Sequence, residues 1–365
     1  MSPPSPKPAV SVIIPVRNGL PYLDECLGSL LGQETAPDLL FEVAVYNDAS
    51  DDRTQDYLDS WSAKFAEKGI AFRCGRGERP GGVGYAKNRA VQLSSGRFLC
   101  FCDADDFSFP RRIQTQYDWI LRAAHPELTI CGSGFVRNDE RATVRYTKWA
   151  NELSDSQLVT QHFTSHGPTV IAPTWFLARS LYDEVGGFNE EHRVGHPEDL
   201  EFFLEALKLG SAVVKVPECL VMYRYHPNCA TFSVDERTIW AMRIRYIEDM
   251  ILGGWKKLTI WNAGKQGKKF YKSLSTENRG KSLSVENRGK VVAFCDVDSS
   301  KIRHGKYEVY DEVERKVTST IPVISHEDAQ PPVVICVKLD LTNGEFERLL
   351  RQKHWIEGRD YFHFS

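Results

Sequence analysis

No apolar run in this chain approaches the ~20 residues that a helix needs to cross a bilayer. The stretch VSVIIPV (Val10–Val16) is far too short, and no signal peptide is visible. Charge of one sign is also lacking. A formal net charge of -3 gives no reason to expect a nucleic-acid surface. The nine cysteines, an odd number, contain no CxxC pair. The closest two, Cys100 and Cys102, sit inside an apolar run, where cysteine is ordinarily a small core residue. This usage fits a reducing compartment, and the simplest expected location is the cytosol.

The composition is that of an ordinary globular protein, 42% hydrophobic and 26% charged. At 365 residues the chain is long for one core, so two domains are expected. A proline-rich, disordered tail is expected at 1–9, a first domain at 10–252 and a second at 253–365. The break is placed at Gly253-Gly254.

The first domain alternates strand and helix signals. Val10–Val16 is β-branched and apolar on both faces, which suits a buried parallel strand. FEVAVYN, IAFRCG and RFLCFC read as further strands, separated by segments of helical spacing. The pattern predicts an α/β fold with a largely parallel sheet covered on both faces. Downstream, a strand–helix unit ends at Gly186-Gly187, and HPEDLEFFLEALKLG reads as a helix with Pro197 at its first position. AVVKVPECLVMYRYHP reads as one or two strands, and a helix follows at 234–250.

In such sheets functional groups gather at the carboxyl ends of the strands. Those ends carry Pro15 to Asn18, Tyr46 to Ser50 and Asp103-Ala104-Asp105-Asp106. The three aspartates either form a turn that ends a strand or hold a divalent cation. In an extended segment Asp103 and Asp105 project to the same side. Asp48 reads equally as the cap of an Asx turn, and Asp199 as a helix-start acid favoured by the macrodipole.

Six blocks settle these readings together: VSVIIPVRNGLPYLDECLGSLLGQ, VYNDASDDRT, GVGYAKNRAVQLSSGRFLCFCDADD, LYDEVGGFNEE, PEDLEFFLEALKLG and YRYHP. In their order and spacing, over roughly residues 10–230, they resemble family 2 glycosyltransferases of the GT-A fold. The resemblance implies a nucleotide-sugar donor, expected to be a UDP-sugar, and an acceptor it leaves unspecified. It implies Mn2+ or Mg2+ as cofactor, neutralising the leaving diphosphate. It assigns Asp103 to the donor ribose and Asp105, with His226, to the metal, and Asp106 would support them. Asp48 would bind the nucleobase, with Pro15 and Arg17 lining the same pocket and Asn18 and Asp51 near it. Gly84, Lys87 and Asn88 start a helix that would face phosphate or base, although Lys87 also reads as an ordinary exposed lysine. Asp199 would be the base that takes the acceptor proton, with Glu198 beside it. Trp175 would stack on a sugar ring or else fill the core. The QxxRW-like motif of processive members is missing, which points to single transfers. A non-catalytic nucleotide-sugar scaffold or sensor is the competing expectation.

The second domain is expected to be a smaller Rossmann-like α/β unit, serving acceptor recognition or self-association. KLTIW, KVVAFCDVD and PPVVICVKLD read as its strands. NAGKQG is a degraded G-x-G-x-x-G that keeps Gly264 and Gly267 but has Asn262 at the first glycine. Asp296 lies 29 residues beyond Gly267, and the usual acid lies about 20 on. A direct repeat at 272–289, KSLSTENRG then KSLSVENRG, matches at eight of nine positions, and one copy accounts for the excess. Gly264, Gly267 and Asp296 are therefore the candidate nucleotide site of this domain, on which an oxidoreductase would have to be built.

Overall fold

The computed structural model describes residues 7–165, 167–227, 229–275, 287–311, 315–339 and 342–365. Most of the tail expected at 1–9 and most of the repeat at 272–289 lie outside the described residues. Two compact units emerge: Met1–Val159 with Gly167–Thr238, and Thr160–His166 with Ile239–Ser365.

The first unit contains strands β1 (Val10–Val16), β2 (Phe41–Asn47), β3 (Ala71–Arg76), β4 (Phe98–Phe101), β5 (Phe107–Ser108), β6 (Thr129–Arg137), β7 (Phe176–Ala178) and β8 (Ala212–Tyr223). Its helices are α1 (Leu23–Leu31), α2 (Thr54–Glu67), α3 (Val83–Leu93), α4 (Arg112–Ile120), α5 (Val144–Glu152), α6 (Asp155–Thr160), α7 (Arg179–Val185) and α8 (Glu198–Lys208). One sheet runs in the order β3-β2-β1-β4-β7-β6-β8-β5. The first four strands are parallel, β7 runs antiparallel to β4 and β6, and β6 pairs parallel with β8.

Side chains alternate along each strand and feed two cores, as period-2 geometry requires. Val10, Val12 and Ile14 join Phe98 and Cys100 under α1, α2 and α4. Ile13, Leu99 and Phe101 face α3, α7 and α8. Both faces of the parallel strands are thus buried, which is why those strands read as continuous apolar runs. The stretch read as one or two strands is the single β8. Its register against β6 slips between Val216 and Cys219, where Pro217 cannot donate to the ladder.

The second unit holds most of α9 (Glu236–Met250), then β9 (Leu258–Trp261), α10 (Lys265–Ser273), β10 (Val291–Asp296), α11 (Ser299–His304), β11 (Lys306–Asp311), β12 (Lys316–Ser325), β13 (Val333–Ile335), α12 (Glu345–Gln352) and β14 (Tyr361–His363). Its sheet runs β11-β12-β10-β9-β13-β14, parallel except at the β11 edge. The units divide inside α9, whereas the sequence suggests 252/253. The helix sides with the later residues because Tyr246 packs on Phe163, which stacks on Phe364.

Candidate active site

β1, β2 and β4 lie side by side and parallel, so their carboxyl ends share one edge of the sheet. The chain leaving β4 turns through Asp103, Ala104, Asp105 and Asp106 before β5. Phe107 of β5 then pairs with Met222 of β8. This short antiparallel pair carries the YRYHP segment to the acids, so that His226 Nε2 lies 2.8 Å from Asp105 Oδ2. Single ligand atoms from Asp103, Asp105 and Asp106 lie within 4.8 Å of one another.

Sequence reasoning passed over the two arginines that hold this loop. The Arg224 N–H donates to Asp106 Oδ1 at 2.8 Å, its Nε donates to the Asp105 carbonyl at 2.7 Å, and its guanidinium pairs with Glu25. Arg112 is fully buried behind β4 and donates to the carbonyls of Phe101 and Pro173. Neither residue belongs to a local acidic motif, so only the folded packing marks it.

The carboxylates crowd one another. Burial pushes the Asp103 carboxyl up to about 6, with Lys87 pulling it down and Asp105 and Glu198 pushing it up. Asp106 is 1% exposed; burial and then Asp105 and Asp103 hold its carboxyl well above the ordinary range. Its Oδ2 is buried with no hydrogen-bond partner among the described residues. A buried, unsatisfied carboxylate oxygen beside two more carboxylates and an imidazole is a donor set that a divalent cation would satisfy. The residues present therefore fit the expected Mn2+ or Mg2+.

Such groups keep protons in the folded chain that the unfolded chain has already released. Metal-free stability should therefore fall as pH rises from about 4 through about 6. Asp106→Asn removes the least exposed of these carboxyl groups and keeps the acceptor for Arg224. The variant is expected to stabilise the metal-free protein at pH 7 by about 1–3 kcal/mol. Thermal melts in chelator would read this, and a lower Tm would refute it.

Asp199 begins α8, which packs against the α3 side of the sheet. Its Oδ1 accepts the Leu200 N–H at 2.7 Å, and Oδ2 lies 3.9 Å from the position a Cβ on Gly167 would take. Burial pushes its carboxyl up to about 6, Glu198 adds to this, and Lys87 opposes it. Pro197 caps α8 instead of filling its first turn.

Lys87 is buried, not exposed, and donates to Glu198 Oε1 at 2.8 Å. Burial disfavours its charge, but Glu198, Asp103 and Asp199 outweigh that and hold it above the ordinary lysine range. Lys87 thus pairs with the start of α8 and acts on the loop after β4 through its charge. Glu198, expected beside the acceptor, is the ion-pair partner of this lysine.

Other expected contacts fall elsewhere. Trp175 is 0% exposed, packs on Phe202 and Phe203 and donates to the Val170 carbonyl. It is a core residue and offers no face to a sugar. Asn88 uses its whole amide on Phe188, Glu190 and Tyr182, so it anchors that loop instead of facing a donor. Gly84 serves the same close approach, since a Cβ there would meet the Asn189 carbonyl at 2.5 Å. Asp48 accepts the Gly81 and Gly82 N–H groups at 2.7 and 2.9 Å and holds the glycine loop against the sheet edge. Each of its oxygens keeps a second lone pair. Pro15 pairs with Tyr46 at the same edge, and Arg17 follows, exposed. Asn18 receives the Asp51 N–H, which ties the ends of β1 and β2 together.

The second unit's nucleotide candidates are closed by their own contacts. Asp296 accepts from Val297 N, Asp298 N, Ala263 N and Lys301 Nζ, which fills its four acceptor positions and leaves none for a ribose hydroxyl. A Cβ on Gly267 would lie 1.9 Å from the Asn262 carbonyl, so this glycine serves the packing of α10 on β9. Gly264 donates its N–H to the Asn262 side chain.

Known proteins carry the same architecture. The sequence model described as "Glycosyl transferase family 2" matches residues 11–186. An uncharacterized glycosyltransferase of Bacillus subtilis, EpsJ, is 28% identical over 230 residues, 61% of this chain and 63% of that protein. Validoxylamine A glucosyltransferase of Streptomyces hygroscopicus subsp. limoneus is 28% identical over 220 residues, 53% of this chain and 47% of its own length. Among solved structures, S. aureus TarS 1-349 in complex with UDP-GlcNAc superposes with a TM-score of 0.51 at 19% identity, over 72% of this chain and 70% of that one. That likeness bears on the fold alone. No helix among the described residues is long and apolar enough to cross a membrane. The acids after β4 and the imidazole after β8 thus meet in the unit whose residues 11–186 match the glycosyl transferase family 2 model.

Proposed function

We propose that the first unit is a metal-dependent, inverting, non-processive transferase that moves a sugar from a UDP-sugar to an acceptor hydroxyl. The observation that carries this reading is one buried cation that pairs with Glu198 and acts by its charge on Asp103 and Asp199. Lys87 touches Glu198 beside Asp199, and its charge also lowers the Asp103 carboxyl. Asp103 and Asp105 would orient the donor's ribose and diphosphate, and Asp48 with Pro15 would frame the base. Asp105 and His226 would hold Mn2+ or Mg2+, which supplies Lewis-acid neutralisation of the leaving diphosphate when bound. Asp199 would take the proton of the acceptor hydroxyl as its oxygen attacks the anomeric carbon from the face opposite the diphosphate. One displacement of this kind inverts the anomeric configuration.

N-acetylglucosamine, the sugar in the TarS complex, is the first to test. Full-length protein is screened by thermal shift and donor hydrolysis against UDP- and GDP-sugars, with Mn2+, with Mg2+ and after chelation. A UDP-sugar is expected to raise Tm and to be cleaved only with metal, and Asp105→Ala should lose both effects. Unchanged turnover in Asp105→Ala and in chelator would overturn the reading. Metal-dependent binding without turnover would favour the scaffold.

A further inference from the structure

We infer that Cys229 supplies a thiolate to the cation site, so that Asp105, His226 and Cys229 together hold the ion and select Zn2+, Co2+ or Cd2+ over Mg2+. This rests on the proposed metal role of Asp105 and His226 and adds a ligand that alters which metal the site prefers.

Four observations carry it. Single ligand atoms of Asp105, His226 and Cys229 all lie within 4.8 Å of one another, a spacing that one ion can bridge. The turn after β8 is built to aim the sulfur, because Cys229 N–H donates to the His226 carbonyl at 3.1 Å. The His226 N–H in turn donates to Cys229 Sγ at 3.2 Å, which fixes the sulfur beside that residue. The imidazole also packs against Tyr22, whose ring centre lies 4.9 Å away. Cys229 also differs from Cys26, Cys100, Cys102, Cys131, Cys295 and Cys336, all of which are buried, by being partly exposed.

A carboxylate and an imidazole accept Mg2+ or Mn2+, whereas a thiolate is a soft ligand that moves preference toward zinc and its analogues. Three protein ligands leave positions open for diphosphate oxygens. On binding, the S–H bond of Cys229 breaks, its proton passes to solvent and a sulfur–metal bond forms.

The test is a Co2+ titration of the full chain followed by absorbance, then displacement of Co2+ by Cd2+ and by Mg2+. Wild type is expected to show an intense near-ultraviolet sulfur-to-cobalt charge-transfer band. The band should persist in Cys74→Ser/Cys219→Ser, which removes the two exposed cysteines, and vanish in both Cys229→Ser and Cys229→Ala. Cd2+ affinity should fall by about 10–100-fold in those variants while Mg2+ affinity stays level. If Co2+ binds in a His226-dependent way with no charge-transfer band, or if the band survives in Cys229→Ser, the thiolate assignment is overturned and the metal reading stands. If wild type binds no Co2+, both fall.

Discussion

Replacing Asp199 by Asn is expected to lower kcat by about 10²–10⁴-fold, the usual contribution of a positioned general base. The substitution keeps size and keeps an oxygen to accept the Leu200 N–H, so α8 should start as before. What disappears is the lone pair that takes the proton. Donor hydrolysis reads the effect, because water needs the same base as a sugar hydroxyl. The wild-type pH profile is fixed by the same group. With the Asp199 carboxyl at about 6, turnover should rise roughly tenfold per pH unit below that value and level off above it. Asp199→Asn should lose this limb along with the rate. A variant that keeps wild-type turnover, or a profile flat from pH 4 to 6, would remove Asp199 from the mechanism.

Replacing Lys87 by Met is expected to destabilise the first unit by about 3–5 kcal/mol, since it leaves Glu198 partly buried without its partner. Lys87 is 4% exposed at the side chain and Glu198 17%, so solvent screens the pair little. Thermal and denaturant unfolding read the loss, and Lys87→Met/Glu198→Gln should recover much of it. A second readout separates this ion pair from ordinary packing. Lys87 lowers both the Asp103 and the Asp199 carboxyls. Its removal should therefore move the acid limb of the pH profile to higher pH in whatever activity remains. An unmoved limb would mean that the lysine stabilises the fold without tuning the carboxylates. An unfolding free energy within the error of wild type would refute the ion-pair argument itself.

Local signals were readable where one element decided them. β1, β2 and β4 show as apolar runs because both faces are buried, and each ends at the polar residues that form the sheet edge. β6 was not read, although it pairs along its whole length with β8. Its TICGSGFVR carries two glycines and no clean alternation. The β11–β12 hairpin and β14 were also missed. In β12 the first five residues, Lys316–Thr320, are exposed, so no apolar stripe marks them. β7, read as a strand followed by a helix, gave no sign that it would run antiparallel between β4 and β6.

The site divides in the same way. Asp103, Asp105, Asp199 and His226 stood out because acids and histidines at strand and helix ends are conspicuous beside turn signals. Arg112 and Gly167 did not, since nothing within a few residues of them hints at a partner, and Arg224 and Cys229 were passed over beside His226 because their partners lie in the loop after β4. Lys87, read as facing phosphate or as an exposed lysine, is buried, and of the two readings of Trp175 the core one holds. In the second unit Gly264, Gly267 and Asp296 matched a spacing, and their hydrogen bonds turned that spacing inward.

By itself the sequence determined the α/β alternation, the acids delivered to one sheet edge and the family resemblance, because hydrophobic period and end-of-strand chemistry act over a few residues. Tertiary structure alone decided that Phe107 pairs with Met222, that His226 and Cys229 meet Asp105, and that the buried Lys87 pairs with Glu198. Those contacts span more than a hundred residues. Chain-wide packing chooses them, and no local pattern carries their register.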